Sequence, residues 1–175
     1  MVVLRWNAQD TSRSTYVWLP LHISGATVSM QNYLNWLPST GRKGPKDKTY
    51  SATSATLKDG ATLVSCAKCN DGQAIDSIGG PSGGSATWSN IHSASSAVTT
   101  IRIYYINTKN AVLYANMTIN DKTPRLLSFL PPEDKGPQIS ILNVAFQKGD
   151  SNTMKISGRD ATYAPSIDYI AVPQS

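Results

Sequence analysis

The chain reads as an all-β protein, an antiparallel β-sandwich with an additional β fragment on its N-terminal side, and three observations predict this. Runs of β-branched and aromatic residues recur along the 175 residues, separated by clusters of Gly, Pro, Asn, Asp and Ser. Within the runs, apolar residues tend to alternate with polar ones, the spacing of a strand buried on one face. There is almost no 3.6-residue apolar period of the kind an amphipathic helix requires. Many short strands with turns between them argue for a sandwich.

Taken in order, VVLRW (2–6), TYVWLPLHI (15–23) and TVSMQNYLNW (27–36) are expected strands, and they hold three of the four tryptophans, Trp6, Trp18 and Trp36. Three strands do not bury both faces alone, so residues 1–38 are expected to pack on the sandwich or to be partly disordered. STGRKGPKDKT (39–49) breaks the pattern with Gly, Pro and charge, as an interdomain linker does. Residues 50–175 then supply a full set of strands. In VTTIRIYYI (98–106), Ile101, Ile103 and Tyr105 share one face while Arg102 and Tyr104 share the other. Asn107 to Asn110 form the expected turn into AVLYANMTI (111–119), whose apolar face is Leu113, Ala115, Met117 and Ile119. In ISILNVAFQ (139–147), Leu142, Val144 and Phe146 point one way, with Lys148-Gly149-Asp150 as the next turn. NTMKIS (152–157) and IDYIAV (167–172) complete the set.

The length suits one domain, or one domain and a fragment, and 40% hydrophobic with 15% charged residues suits a folded soluble protein. The net charge of +5 is concentrated: Arg42, Lys43, Lys46 and Lys48 against Asp47 place +3 in one short stretch. The remainder is scattered, with no basic stripe that would track a phosphate backbone, so nucleic acid is not an expected partner. No apolar run approaches a membrane span. The opening MVVLRWNAQD lacks the features of a signal peptide, which taken literally predicts a cytosolic protein. A cytosolic interaction sandwich is therefore one reading.

Chemistry is sparse. The single glutamate, Glu133, lies in the turn-like PPEDKG and reads as a solvated loop charge, and Asp10 reads as a turn residue. IGGPSGG (78–84) is glycine-rich but leads into a strand, not into the helix a phosphate cradle needs. Asn116-Met117-Thr118 is a glycosylation sequon, a tripeptide common by chance.

YSATSATLKDGATLVSCAKCNDGQAIDSIGG (50–80), NTMKISG (152–158) and YAPSIDYIAV (163–172) resemble, in order and spacing, carbohydrate-binding module family 35, notably the copies on secreted fungal glycosidases. That resemblance covers about residues 46–175 and implies a jelly-roll of the galactose-binding type. RWNAQDTSRSTYVWLPLHISG (5–25) resembles the last propeller blade of glycoside hydrolase family 43, over about residues 1–38. Family 27 α-galactosidases are a second possible parent. The family 43 resemblance implies a catalytic carboxylate trio in earlier blades, outside this chain, so the chain is read as non-catalytic.

The resemblance also implies site residues. The family's late loop reads Tyr-x-Pro-Asp-Ile-Asp, with the tyrosine and first aspartate toward the ligand and the second aspartate supporting calcium. Here Tyr163 and Asp168 match, and Ser166 replaces the first aspartate. A serine cannot accept two hydroxyls as a carboxylate does, so restoring Asp at 166 is expected to strengthen binding. Tyr105 and Asn107 match a ligand-side Tyr-x-Asn stretch, although Tyr105 shares a face with Ile101 and Ile103 and reads more strongly as core. Asn152 matches an asparagine before a strand, and Asn107 and Asn152 are equally the residues that shape turns. The family usually opens Tyr-Glu-Ala-Glu with both glutamates on the metal. Tyr50-Ser51-Ala52-Thr53 leaves Asp168 as the one recognisable ligand, so a weak or absent calcium site is expected and no other cofactor.

Cys66 and Cys69, in SCAKCN, lack the helix that follows a redox C-x-x-C, and His22 and His92 are not at zinc-finger spacing. With the secreted resemblance, a local disulfide is the expectation. The reading is an extracellular, monomeric module holding a glycosidase to a cell-wall polysaccharide or oligosaccharide, β-galactan foremost. The alternative is an enzyme fragment whose sandwich is only structural.

Overall fold

The computed structural model describes residues 2–5, 15–30, 36–37, 42–43, 46–132 and 137–174, so Trp6, Asp10 and Glu133 lie outside the described residues. The chain divides into two compact units, Met1–Lys46 and Asp47–Ser175.

The first unit contains three antiparallel strand pairs among its described residues. Strand β1 (Val2–Arg5) pairs with β2 (Thr15–Trp18), and β5 (Trp36–Leu37) with β6 (Arg42–Lys43). Between them β3 (Leu21–Ser24) pairs with β4 (Thr27–Met30) across a two-residue turn that Gly25, at φ 58°, makes possible. The register sets Leu21 opposite Met30 and Ile23 opposite Val28. All four remain exposed, from 43% to 64%.

The second unit is an antiparallel sandwich. One sheet holds β9 (Thr62–Ser65), β10 (Gln73–Asp76), β17 (Ser166–Pro173), β12 (Val98–Ile106) and β15 (Gln138–Ala145) in that spatial order, with β7 (Asp47–Ser51) also paired to β17. The other runs β8 (Thr56–Lys58), β11 (Ser85–Ser93), β16 (Gly149–Gly158), β13 (Leu113–Ile119) and β14 (Arg125–Phe129). Strand pairing thus enters the stretch read as linker, since β6 lies within 39–49 and β7 begins at Asp47.

The period-two faces are the inner faces. Ile101, Ile103 and Tyr105 from β12 meet Ala115 and Met117 from β13, together with Trp88, Phe129, Met154, Ile156, Ile167 and Ile170. Burying one such large side chain contributes about 1.5–3 kcal/mol, so this layer is what holds the sheets together. Trp88 is fully buried, and its Nε1–H donates to the Ser51 carbonyl at 2.9 Å, which satisfies the one polar atom of its ring.

Alternation fails at two informative places. Tyr104 lies opposite Tyr169 while Tyr105 lies opposite Ile167, so Asp168 is an extra residue, a bulge in β17. Arg102 sits on the outer face of β12 yet is 3% exposed, and its guanidinium is ion-paired with Asp47. Beside it Tyr104 and Tyr169 stack with centroids 4.0 Å apart.

Candidate ligand-binding site at one end of the sandwich

The ends of β10, β12 and β17 converge at one end of the six-stranded sheet. Ile75 is paired with Ile167, Gly79 bridges Tyr163, the Ala164 N–H donates to Ile78 O at 2.9 Å, and Gly80 N–H to Thr162 O at 3.0 Å. This ladder sets Asp76 opposite Ser166, and the Ser166 hydroxyl donates to Asp76 Oδ2 at 2.6 Å. Ser77, at φ 60°, turns its own N–H (2.6 Å) and hydroxyl (3.1 Å) back onto Asp76 Oδ1. The result is a half-buried carboxylate held by three neutral donors.

Tyr163 leaves this ladder as an exposed ring, at 54%. Gly80 makes room for it: a Cβ on Gly80 would lie 2.2 Å from Cε1 and 2.4 Å from Cζ of the tyrosine. Gly80 also has φ +68°, a conformation that favours glycine. The rest of IGGPSGG is a closed turn, in which Gly79 and Gly84 exchange backbone hydrogen bonds of 2.7 and 2.9 Å. That glycine-rich stretch therefore supports an aromatic ring.

Of the other sequence-derived candidates, three are built into the scaffold. Tyr105 is 3% exposed, packs edge-on against Phe129 with centroids 4.8 Å apart, and donates to Leu130 O at 3.3 Å. Burial raises its pKa above the ordinary tyrosine value, partly offset by that hydrogen bond. Asn107 is 2% exposed; its amide donates to Ala111 O (2.8 Å) and Leu130 O (3.1 Å) while its oxygen accepts the Lys109 N–H (2.8 Å). Asn152, also 2% exposed, donates to Ile91 O (3.0 Å) and Gln147 O (2.8 Å) and accepts from Gln147 N (2.7 Å) and Asn120 Nδ2 (2.8 Å). All three are buried and hydrogen-bonded into the fold, away from the exposed ring of Tyr163. Asn107 follows the end of β12 and shapes the turn after it, while Asn152 lies within β16 and its side chain closes the turn at 147–149. Asn116 of the sequon lies inside β13, its amide donating to Gly158 O at 3.2 Å.

Asp168 is buried at the bulge, and both its oxygens accept the Asn70 N–H, at 3.0 and 3.2 Å. Burial pushes its carboxyl above the usual range; the Asn70 bond opposes this and the nearby Asp71 charge adds to it. The Asn70 N–H is placed by the turn that the Cys66–Cys69 disulfide closes, as expected from the sequence. Ser51 and Thr53 hydrogen-bond to each other at 2.9 Å. Among the described residues no three His, Cys, Asp or Glu side chains gather to hold a metal. Asp168, hydrogen-bonded to Asn70 and with Asp71 as its one carboxylate neighbour of note, fits calcium poorly, since that ion takes six to eight oxygens.

No protein-family model matches the chain, and no curated protein matches it. Solved structures do. An exo-β-1,3-galactanase from Phanerochaete chrysosporium, solved with galactose, superposes with a TM-score of 0.75 at 19% identity, covering 98% of this chain and 40% of that one. A family 35 carbohydrate binding module from Clostridium thermocellum gives 0.66 at 21% identity, covering 72% of this chain and 98% of that one. One from Paenibacillus barcinonensis gives 0.62 at 19%, covering 73% and 99%. The chain spans about 40% of the length of the galactanase it matches. At these identities the likeness establishes the fold, an all-β antiparallel jelly-roll sandwich.

Proposed function

We propose that this chain is a non-catalytic carbohydrate-binding module, with its site at the Tyr163 end of the sandwich. The observation that carries the reading is an exposed aromatic ring, backed by Gly80, on the same segment as the hydroxyl–carboxylate pair of Ser166 and Asp76. A pyranose presents an apolar face and a rim of hydroxyls, and an aromatic plane with nearby acceptors meets both. Tyr163 and Ser166 are three residues apart, about 10 Å of extended chain, which is the span of one or two sugar units. The ligand class is a neutral cell-wall polysaccharide, of β-galactan type by analogy with the galactanase neighbour. The module acts without a tightly held calcium. Its role is to keep a secreted glycoside hydrolase near insoluble substrate, raising effective concentration through a tether.

The test is affinity electrophoresis through β-galactan, arabinan and xylan gels. Wild type is expected to be retarded by galactan and Tyr163→Ala to run free. Equal mobility of the two on every gel would overturn the assignment.

A second reading, in which the sandwich only buttresses an enzyme, draws on the first unit. Leu21, Ile23, Val28 and Met30 form one exposed apolar face on a two-stranded hairpin. Two strands are marginal without further packing, so this face fits a larger β domain. On both readings the chain is expected to show no glycosidase turnover, since hydrolysis needs a carboxylate pair flanking the scissile bond.

A further inference from the structure

We infer that Asp76 is the sugar-binding carboxylate of this site, and that it selects a neutral sugar through a vicinal diol. The inference rests on the sugar-site reading of Tyr163. At sequence level the loop looks deficient, with a serine at 166 where a carboxylate is wanted. The fold places one directly across the ladder, with Ser166 Oγ on Asp76 Oδ2 at 2.6 Å. Among the described residues, Asp76 has only neutral partners: the Ser77 N–H, the Ser77 hydroxyl and the Ser166 hydroxyl.

A carboxylate has about four lone-pair directions, and three are taken. One acceptor direction is left for a ligand hydroxyl. The two serine hydroxyls give their protons to Asp76 and so turn their own lone pairs outward as further acceptors. One sugar hydroxyl donating to Asp76 and its neighbour donating to a serine oxygen is the pattern a vicinal diol completes. A uronic acid would bring its charge toward a carboxylate that no described cation balances, and is disfavoured.

The role of Asp76 is tested by moving the carboxylate. Full-length wild type, Tyr163→Ala, Asp76→Asn, Asp76→Ser, Ser166→Asp and the swap Asp76→Ser/Ser166→Asp are compared on β-galactan and polygalacturonate gels, with thermal unfolding as a folding control. Asp76→Ser is expected to weaken galactan retention roughly tenfold, the worth of one charge-assisted hydrogen bond over a neutral one. Asp76→Asn should lose several-fold, and the swap should recover most of the loss. Wild type should prefer galactan to polygalacturonate. Tyr163→Ala running free while Asp76→Asn and Asp76→Ser bind like wild type overturns the role of Asp76 and leaves the site standing. If Tyr163→Ala also binds like wild type, the site itself is wrong. If Asp76→Ser does not fold, Asp76→Asn and the swap decide. Preference for polygalacturonate overturns the neutral-sugar assignment.

Discussion

The exposed ring of Tyr163 lies against Gly80, and that pairing is directly testable. Gly80→Ala brings a methyl into the ring and puts alanine at φ +68°, a conformation costing about 1–2 kcal/mol. Retention on galactan should fall toward that of Tyr163→Ala, and unchanged retention would separate the ring from the site. Ser166→Asp alone is expected to weaken binding, contrary to what the sequence suggests, because it sets two carboxylates face to face across the ladder. Asp168 gives a pH prediction. Its carboxyl is raised by burial, so the folded state holds its proton more tightly than the unfolded chain does. Its contribution to stability therefore falls as pH rises from about 4, the ordinary aspartate value, through the raised one. Asp168→Asn should gain stability relative to wild type across that window, read by urea midpoints. A relative loss instead would mean the ionised carboxylate is stabilised, as by a bound cation. Tyr163, Ser166 and Asp168 could be picked out from their short loop motif. Asp76 could not, since its partner is 90 residues away in sequence and only strand register joins them.

Among the elements, the β-runs were legible because one buried face imposes a period of two. Side-chain roles at their ends were not, because the same asparagine serves a turn or a ligand and burial decides which. Asn152 ties the bulged β11, the 147–149 turn and Asn120 into one buried network. Asn152→Ala should cost about 2–3 kcal/mol by leaving buried groups unpaired, with galactan affinity of the folded protein unchanged. Loss of affinity without loss of stability would return Asn152 to the site. The Cys66–Cys69 pair closes so short a loop that replacing both with serine should cost about 2 kcal/mol or less on chain entropy.

At the scale of the whole molecule, the sandwich was readable, but the part its first strand plays in it was not. The charged stretch before residue 50 reads as linker, yet Asp47 in it supplies the counter-charge for the buried Arg102. Only the folded sheet, with β7 on one side of β17 and β12 on the other, brings the two together. Asp47→Ala in the full chain should destabilise it by about 3–5 kcal/mol, as expected when one partner of a buried pair is removed. A change under 1 kcal/mol would mean that the guanidinium is held by other groups. Sugar binding by this chain depends on the location of the site, and titration of isotope-labelled protein with β-galacto-oligosaccharides, followed by amide chemical shifts, tests that location most directly. Saturable shifts centred on residues 76–80 and 162–166 are the predicted result. Shifts centred instead on the outer face around Tyr104 and Tyr169, or none at millimolar sugar, would contradict it.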